Sequence, residues 1–343
     1  MHGTVHLFDS LPEVERAPEA ALRRAAAPVR AVPLVGVIRN RRSHRNAEAL
    51  PEFSGRATLM VELPAKRGEL PAILARFAEK RIDYLVVDGG DGTVRDVLTC
   101  GSGVFGESWP PLIVLPNGKT NALATDLGLG AEWNLTTALA SAEEGKFLQR
   151  RPLVIARRDN PDARVQGFVF GAGVFTASVS LGQDAHRHGA FNSMAVLVTT
   201  LWTFMQALFG RAGNVWRRGT PIRLYAEDGQ EFPHSGIGRR DERYFLFAST
   251  LERFSAGLWP FSDVRTPLRM AVLDNSRMGL LLRLPLILNG RRASAKMRRL
   301  GYHAFGFERC GLDIADNFIL DGEAFPAGQY TLSLGPKLRF VIP

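Results

Sequence analysis

One short segment constrains this chain more than any other. Tyr84-Leu85-Val86-Val87 is an unbroken apolar run, and Asp88-Gly89-Gly90-Asp91-Gly92-Thr93 follows it directly. An apolar run without alternation reads as a strand buried on both faces. Three glycines after it permit a tight turn and close approach of the backbone to a neighbour. From Val94 to Thr99 the pattern becomes helical, so the unit is strand, turn, helix. The same order recurs on either side. Leu34 to Ile38 and Leu112 to Leu115 read as buried strands, and Thr58 to Leu63 as a further short one. Gly68 to Lys80 carries Leu70, Ile73, Leu74 and Phe77 at helical spacing, and Thr120 to Leu127 begins another helix. Strands alternating with helices imply a parallel sheet covered on both faces. Such sheets bind ligands beyond the carboxyl ends of their strands, where both glycine-bearing turns fall.

After about Arg151 the grammar changes. Short strand-like runs dominate: Leu153 to Ala156, Gln166 to Phe170, Ile222 to Tyr225, Tyr244 to Ala248, Leu268 to Leu273 and Tyr330 to Leu334. Turn residues separate them, which predicts a mainly antiparallel part. The chain therefore divides into a mobile arm over 1–30, an α/β nucleotide-binding domain over 31–150, and a β-rich domain over 151–343. The last strand is placed to return to the first domain. Residues 189–210 carry no charged side chain, yet Asn192, Thr199 and Gln206 dilute their hydrophobicity. That favours a buried or interfacial helix over a membrane span.

Composition sets limits on partners. With 343 residues, 45% apolar and 22% charged, the chain can build two real cores. A net charge of +9 with only six lysines means the excess is arginine, which favours anionic partners. Cys100 and Cys310 lack metal-ligand spacing and suggest a reducing compartment without disulfides. The first residues show no basic start followed by an apolar run, so a signal peptide is not expected. No helix-turn-helix, zinc finger or aromatic RNA-binding strand stands out, so nucleic acid is not the expected partner.

Four segments carry candidate chemistry. In the first, Gly89, Gly90, Gly92 and Thr93 place backbone N–H groups at a helix N-terminus, a site suited to phosphate. Asp91 beside a polyphosphate calls for Mg²⁺ or a proton between them, which makes it the candidate metal ligand. Thr93, with Asp96 three residues on, reads as a weak capping box. The second segment, Pro116 to Ala124, also joins a strand to a helix; Gly118, Lys119, the Thr120 hydroxyl and the Asn121 amide are placed to complete a nucleotide pocket beside the first loop, the alternative being that Thr120 or Asn121 only caps the helix. It is not a P-loop, because Ile113 stands where that motif needs glycine. The third, Asn40 to Asn46, follows the first strand, with Asn40 and Ser43 placed for ribose or phosphate contact. The fourth, Asp321-Gly322-Glu323, sets two carboxylates around a turn, suited to general-base work or metal binding.

Together these segments resemble the diacylglycerol kinase catalytic-domain family, which includes bacterial diacylglycerol kinases and sphingosine and ceramide kinases. The likeness runs from about residue 32 to the end. The glycine-rich loop of the family stands at Gly89 to Thr93, its second loop at Gly118 to Asn121, and its late Asp-Gly-Glu at Asp321 to Glu323. Lys119 and Ala122 depart from the family pattern, and the first loop lacks its usual Pro and Gly. The run Asn121-Ala122-Leu123-Ala124 is closer to the sphingosine and ceramide branch. The resemblance implies an α/β domain like that of NAD kinases and phosphofructokinases, completed by an antiparallel β domain. It implies ATP and Mg²⁺ as cofactors and phosphoryl transfer to the hydroxyl of a membrane lipid, either ceramide or a sphingoid base or diacylglycerol. Backbone amides of residues 89–93 would position the phosphates. Glu323, supported by Asp321, is the implied proton acceptor in the bacterial members, and Asp91 in the sphingosine branch. A lipid substrate implies a cytoplasmic protein peripheral at the inner face of the membrane and in contact with an anionic surface. Two basic runs suit that surface: Arg211, Arg217 and Arg218 after the uncharged segment, and Arg291, Arg292, Lys296, Arg298 and Arg299 after the apolar run Leu280 to Leu288. The rival readings are a soluble NAD kinase-like enzyme and an inactive basic membrane-binding module.

Overall fold

The apolar runs pair as their lack of alternation requires. In the computed structural model, which describes residues 7–15, 30–40, 56–118, 120–176, 218–290 and 294–343, they form the centre of a six-stranded sheet. Its order is β2 (Thr58–Glu62), β1 (Leu34–Arg39), β3 (Tyr84–Gly89), β4 (Leu112–Pro116), β18 (Leu338–Val341) and β5 (Phe147–Arg150). All pairs are parallel except β18 with β5. Successive residues of β3 point to opposite faces. Leu85 and Val87 pack with Leu74, Phe77, Val97 and Leu98, while Val86 packs with Ile113, Leu115 and Leu139. Helices α1 (Leu70–Glu79) and α2 (Asp91–Phe105) supply the first layer. Helix α3 (Ala122–Leu127) lies at the sheet's carboxyl end, and α4 (Leu135–Glu143) covers the other face.

Two antiparallel sheets make up the rest. One runs β10 (Glu242–Arg243), β9 (Thr220–Tyr225), β14 (Arg309–Ile314), β17 (Gly328–Leu334), β6 (Leu153–Arg157), β7 (Arg164–Gly167). The other runs β13 (Tyr302–Phe307), β12 (Leu268–Leu273), β11 (Phe245–Ser249), β8 (Val169–Gly173), β15 (Phe318–Leu320), β16 (Glu323–Phe325). They share a core that includes Ile155, Phe170, Leu246, Met270, Leu312 and Phe318. The outer face of the second is covered by α5 (Met278–Leu281), α6 (Leu284–Leu288) and α7 (Ala295–Leu300), through Leu280, Leu281, Ile287 and Met297. The chain leaves the first sheet between β5 and β6 and comes back after β17 as β18.

Residues 7–15 differ from the expected mobile arm, while residues 1–6 and 16–29 of it lie outside the described residues. Residues 7–15 lie in the groove between the parts. Leu11 and Val14 are buried, Phe8 N–H donates to the Ala324 carbonyl (2.9 Å), and Val14 N–H to that of Asp162 (2.9 Å). A Cβ on Gly103 of α2 would run into the Glu15 carbonyl, so that residue is glycine to let the segment pass. The uncharged segment 189–210, together with Arg211, Arg217, Arg291, Arg292, Ser43 and Lys119, lies outside the described residues. No described helix is long and apolar enough to cross a membrane.

Candidate functional site

Parallel pairing brings the carboxyl ends of β1, β3 and β4 side by side, so the turns that follow them meet. A buried carboxylate pins them. Asp88, 3% exposed, lies 3.3 Å from Arg39 Nε, and Asn117 Nδ2 donates to its Oδ1. The Asn40 N–H donates to the Asp88 carbonyl (3.0 Å). Each of the three strands thus contributes one polar residue to a shared knot beneath the loops.

Above the knot the two glycine turns touch backbone to backbone. A Cβ on Gly90 would lie 2.8 Å from Gly118 Cα, and one on Gly118 would meet Gly90 Cα and Asn121 Oδ1 (2.8 Å). Neither position tolerates a side chain while the loops keep this spacing. A Cβ on Gly89 would lie 2.5 Å from the Thr93 hydroxyl. Gly92 is different, because a Cβ there would meet nothing closer than the Arg95 guanidinium at 3.8 Å. Packing does not demand glycine at 92.

Gly90 is the N-cap of α2 and its side of the turn is extended (φ −92°). The first amides of a helix have no intrahelical acceptor. Here the Thr93 and Val94 N–H groups already donate to the Gly90 carbonyl (2.9 and 3.1 Å). The expected phosphate cradle therefore loses the Thr93 amide, and the Asp91 and Gly92 amides stand at the terminus. The Thr93 hydroxyl accepts from Asn40 Nδ2 (2.9 Å), which ties the first loop to the glycine loop. It does not form the expected capping box. Asp96 instead accepts from its neighbour Arg95 (2.9 Å).

Asp91 reaches across to the second loop. Its carboxylate accepts from Ala122 N–H (2.8 Å) and Leu123 N–H (3.2 Å), so it caps α3 through space. Thr120 and Asn121, the caps expected from sequence, do not serve. Asn121 sits in the left-handed region (φ 50°), and its side chain closes its own loop. It accepts from Gly118 N–H (3.0 Å) and donates to the Gly118 carbonyl (2.9 Å). Burial raises the Asp91 carboxyl above the ordinary range, against the pull of the Ala122, Leu123 and Asn121 amides.

The late Asp-Gly-Glu arrives from the antiparallel part. Asp321 (φ 46°) and Gly322 (φ 85°) form a two-residue hairpin turn between β15 and β16, pairing Leu320 with Glu323. Two positive φ values in a row are the reason for Asp-Gly here. The Asp321 carboxylate folds back and accepts from Phe168 N–H (3.1 Å) and Val169 N–H (2.9 Å). A side chain on Gly167 would run into it. Burial first, and then the Asp91 charge, push Asp321 up to about 7, although the Val169 and Phe168 amides and Arg95 favour its ionised form. The two aspartates, 230 positions apart in sequence (321 − 91), thus feel each other. Glu323 opens β16 beside this turn and is half-buried.

An apolar cavity of about 340 Å³ adjoins the pair. Its wall includes Ala122 and Val169, whose amides bond Asp91 and Asp321 respectively. Phe175, Phe245, Phe247, Phe254 and Leu258 form most of the rest, with Thr120, Arg253 and Ser255 as its polar members. The loop bearing Arg253 is fixed to α3. Buried Asp126 accepts from the Glu252 and Arg253 amides (2.7 and 2.8 Å) and pairs with Arg150 (2.6 Å). Of these cavity residues, sequence reading placed only Thr120 in the site. It also gave no site role to Arg39, Asn117 and Asp126.

A cofactor must fit what is present. Among the described residues no three His, Cys, Asp or Glu side chains gather as a metal cage. Mg²⁺ needs no cage, since it takes one or two carboxylates together with substrate phosphates, and the Asp91 carboxylate fits that role. Open glycine backbone at the terminus of α2 suits a phosphate chain.

Comparison with known proteins agrees with this layout. Residues 38–150 match the family model for the diacylglycerol kinase catalytic domain. No curated protein matches the sequence. Among solved structures, a diacylglycerol kinase from Bacillus anthracis str. Sterne superposes with a TM-score of 0.63 at 15% identity, over 92% of this chain and 99% of that one. Two further structures from the same strain give 0.61 and 0.58 at 14% identity with equal coverage. The expected fold class, an NAD kinase-like α/β part joined to antiparallel β sheets, is the one observed.

Proposed function

We propose that this chain, which carries a diacylglycerol kinase catalytic domain over residues 38–150, is an ATP-dependent kinase whose acceptor is the hydroxyl of a membrane lipid: ceramide, a sphingoid base or diacylglycerol. One observation carries the reading. The Asp91 and Asp321 carboxylates accept from the amides of Ala122 and Val169, two residues that wall an apolar, phenylalanine-lined cavity, and Asp91 also opens the helix that follows the glycine turn. A cavity of several hundred Å³ with few polar groups suits an apolar ligand whose reactive end is held at one edge. It does not suit a second dinucleotide, so NAD is the less favoured acceptor.

ATP enters with its phosphates at Gly90, Asp91 and Gly92, where glycine backbone and the α2 terminus favour negative charge. Asn40 and Thr93 hold that loop in place. Asp91 would hold Mg²⁺ on the protein side when it is bound with ATP, and the ion would neutralise charge on the phosphates. The acceptor's chain lies among Phe175, Phe245, Phe247 and Phe254, which puts its hydroxyl at the Ala122–Val169 edge. There Asp321, with Asp91 beside it, accepts the hydroxyl proton as the oxygen bonds to the γ-phosphorus and the bond from that phosphorus to the departing ADP oxygen breaks. Glu323, the acceptor that the family resemblance implies, is one residue beyond the turn and supplies the alternative.

The deciding experiment is mass spectrometry of a total lipid extract incubated with the protein and Mg-ATP. A single lipid class gaining one phosphate, lost in Asp91→Asn, is the expected result. Phosphorylation of NAD, with the lipids untouched, would overturn the reading.

A further inference from the structure

The 278–288 run shows apolar side chains on the side that should be polar. Leu280, Leu281 and Ile287 face inward, against the core that holds Phe261 and Tyr302. Met278, Leu282 and Leu286 follow one another at intervals of four and are 46%, 60% and 37% exposed. A helix on a protein surface ordinarily sets charged groups there. Two short helices, Met278–Leu281 and Leu284–Leu288, joined at Leu282, thus expose three large apolar side chains along one run, a surface that suits an apolar partner.

The patch is continuous with the cavity described above. Leu288 ends the run and lines the cavity, and so does Leu258, itself 39% exposed. The Trp259 N–H donates to the Leu288 carbonyl (2.6 Å), which fixes the two edges together. A ligand leaving the cavity past Leu258 and Leu288 arrives at this patch.

Along this stretch of the chain charge has one sign. Between Asp274 and Glu308 the chain has seven Lys or Arg residues and no Asp or Glu. Of these, Arg277 precedes the run and is exposed, and Lys296, Arg298 and Arg299 are exposed on α7. Helix α7 packs beside α5, as the nearness of Leu300 to Gly279 shows. An apolar centre with a cationic margin is the surface that an anionic bilayer fits, with apolar groups in the acyl boundary and cations at the headgroups.

We propose that Met278, Leu282 and Leu286, with the cations of α7, dock this face on an anionic lipid surface, so that the acceptor passes from bilayer to cavity between Leu258 and Leu288. The passage rests on the lipid-kinase reading; the docking does not. Flotation of the full chain with vesicles of phosphatidylcholine, with and without phosphatidylglycerol, tests it, alongside turnover on a short-chain acceptor dispersed as monomers. The wild type is expected to float with the anionic vesicles. Lys296→Gln with Arg299→Gln weakens binding roughly 25-fold at low salt, about fivefold per charge. Leu282→Ser with Leu286→Ser weakens it by about tenfold or more, through lost apolar burial that low salt does not restore. Turnover on the dispersed acceptor stays unchanged in both. Wild-type binding in the serine pair, indifference of the wild type to vesicle charge, or a salt-stable dimer formed through this face would overturn the docking while leaving the kinase reading intact. Docking without turnover on any lipid would support the surface and remove the kinase reading.

Discussion

The contact between Gly90 and Gly118 gives the sharpest test of how the loops are built. Alanine suits the Gly90 backbone, whose φ of −92° lies in the ordinary region. Only space forbids it. The new Cβ would stand 2.8 Å from Gly118 Cα, and ordinary contact begins at 3.4 Å, so the two turns must part by 0.6 Å (3.4 − 2.8). Both sides of the contact are backbone, so no side chain can swing aside. Overpacking of this kind costs about 1–3 kcal/mol, and each kcal/mol lowers the melting temperature by roughly 2–4 °C in a chain of this size. Displacing Asp91 from Ala122 by a similar distance is expected to lower kcat roughly ten- to a hundredfold, since about 1 Å of misplacement costs about 10²-fold. Gly92→Ala is the matched contrast. Its Cβ meets nothing closer than 3.8 Å, so the melting temperature should not move. If ATP phosphates press against this turn, KM for ATP rises while the fold is unaffected. Gly130→Ala, with nothing within 4 Å, is the neutral control. The assay is initial rate against ATP concentration, paired with thermal unfolding of each variant. Wild-type kcat in Gly90→Ala together with wild-type KM in Gly92→Ala would refute the claim that these glycines are there for loop contact and phosphate approach.

Four further outcomes are expected. Asp91→Asn and Asp321→Asn should each lower kcat by about 10²–10⁴-fold, the usual worth of a positioned acid–base group; a matching loss in Glu323→Gln alone would move the proton acceptor to Glu323. The Asp321 carboxyl, pushed up to about 7 from 3.8, binds its proton more tightly folded than unfolded, so it favours the fold at low pH. That contribution is present below about pH 4 and is lost as pH rises toward 7, and melting curves of Asp321→Asn should lack it. Asp274 behaves in the opposite sense. Burial would raise it, but the His303 hydrogen bond, Arg243 and the Ser235 amide outweigh burial and hold it at about 2. Its stabilisation is therefore complete above pH 4 and fades as pH falls toward 2, and Asp274→Asn, which leaves buried Arg243 without its partner, should cost about 3–5 kcal/mol by denaturant unfolding. Leu11, 3% exposed in the core of the antiparallel sheets, should cost about 2–5 kcal/mol as Leu11→Ala. An unchanged midpoint would show that residues 7–15 are only loosely attached.

Sequence reading worked where cause and effect are local. The run Tyr84 to Val87 is apolar because β3 is buried on both faces, and the glycines after it sit at a turn that begins three residues later at most. It failed where partners are distant and individually ordinary. Arg39, Asp88 and Asn117 form one knot, yet 49 and 29 positions separate them (88 − 39 and 117 − 88), and none is unusual in its own neighbourhood. The cap of α3 is the clearest case. Thr120 and Asn121 are good capping residues in the right place, so a local rule selects them. The donors are satisfied instead by Asp91, which only the parallel pairing of β3 and β4 brings within reach. The cavity was hidden for a related reason. Phe245 and Phe247 share one face of β11 by strand periodicity, while Leu246 and Ala248 face the core. From the sequence all four read equally as strand interior. The N-terminal segment misled by composition, since two well-placed apolar residues, Leu11 and Val14, fix it within a polar and proline-containing stretch.

Four aspartates lie near the proposed centre, and their partners divide them. Asp88 pairs with Arg39, and Asp126 with Arg150, so each is matched by a full positive charge and serves as an anchor. Asp91 and Asp321 are matched by backbone amides, and no described Arg or Lys forms an ion pair with either. Amides favour the carboxylate less than a guanidinium does, and burial disfavours it, which is why both rise. The Asp91 charge adds to the cost of ionising Asp321, so the two carboxyls are coupled. Asp321, pushed up to about 7, can take a proton from an alcohol and return it to water. Supplying an arginine to this pair should therefore harm turnover more than stability. Val169→Arg, at the cavity edge that both the acceptor and Asp321 share, is the change that would show it, with the acid limb of the pH–rate profile moving to lower pH as Asp321 becomes easier to ionise.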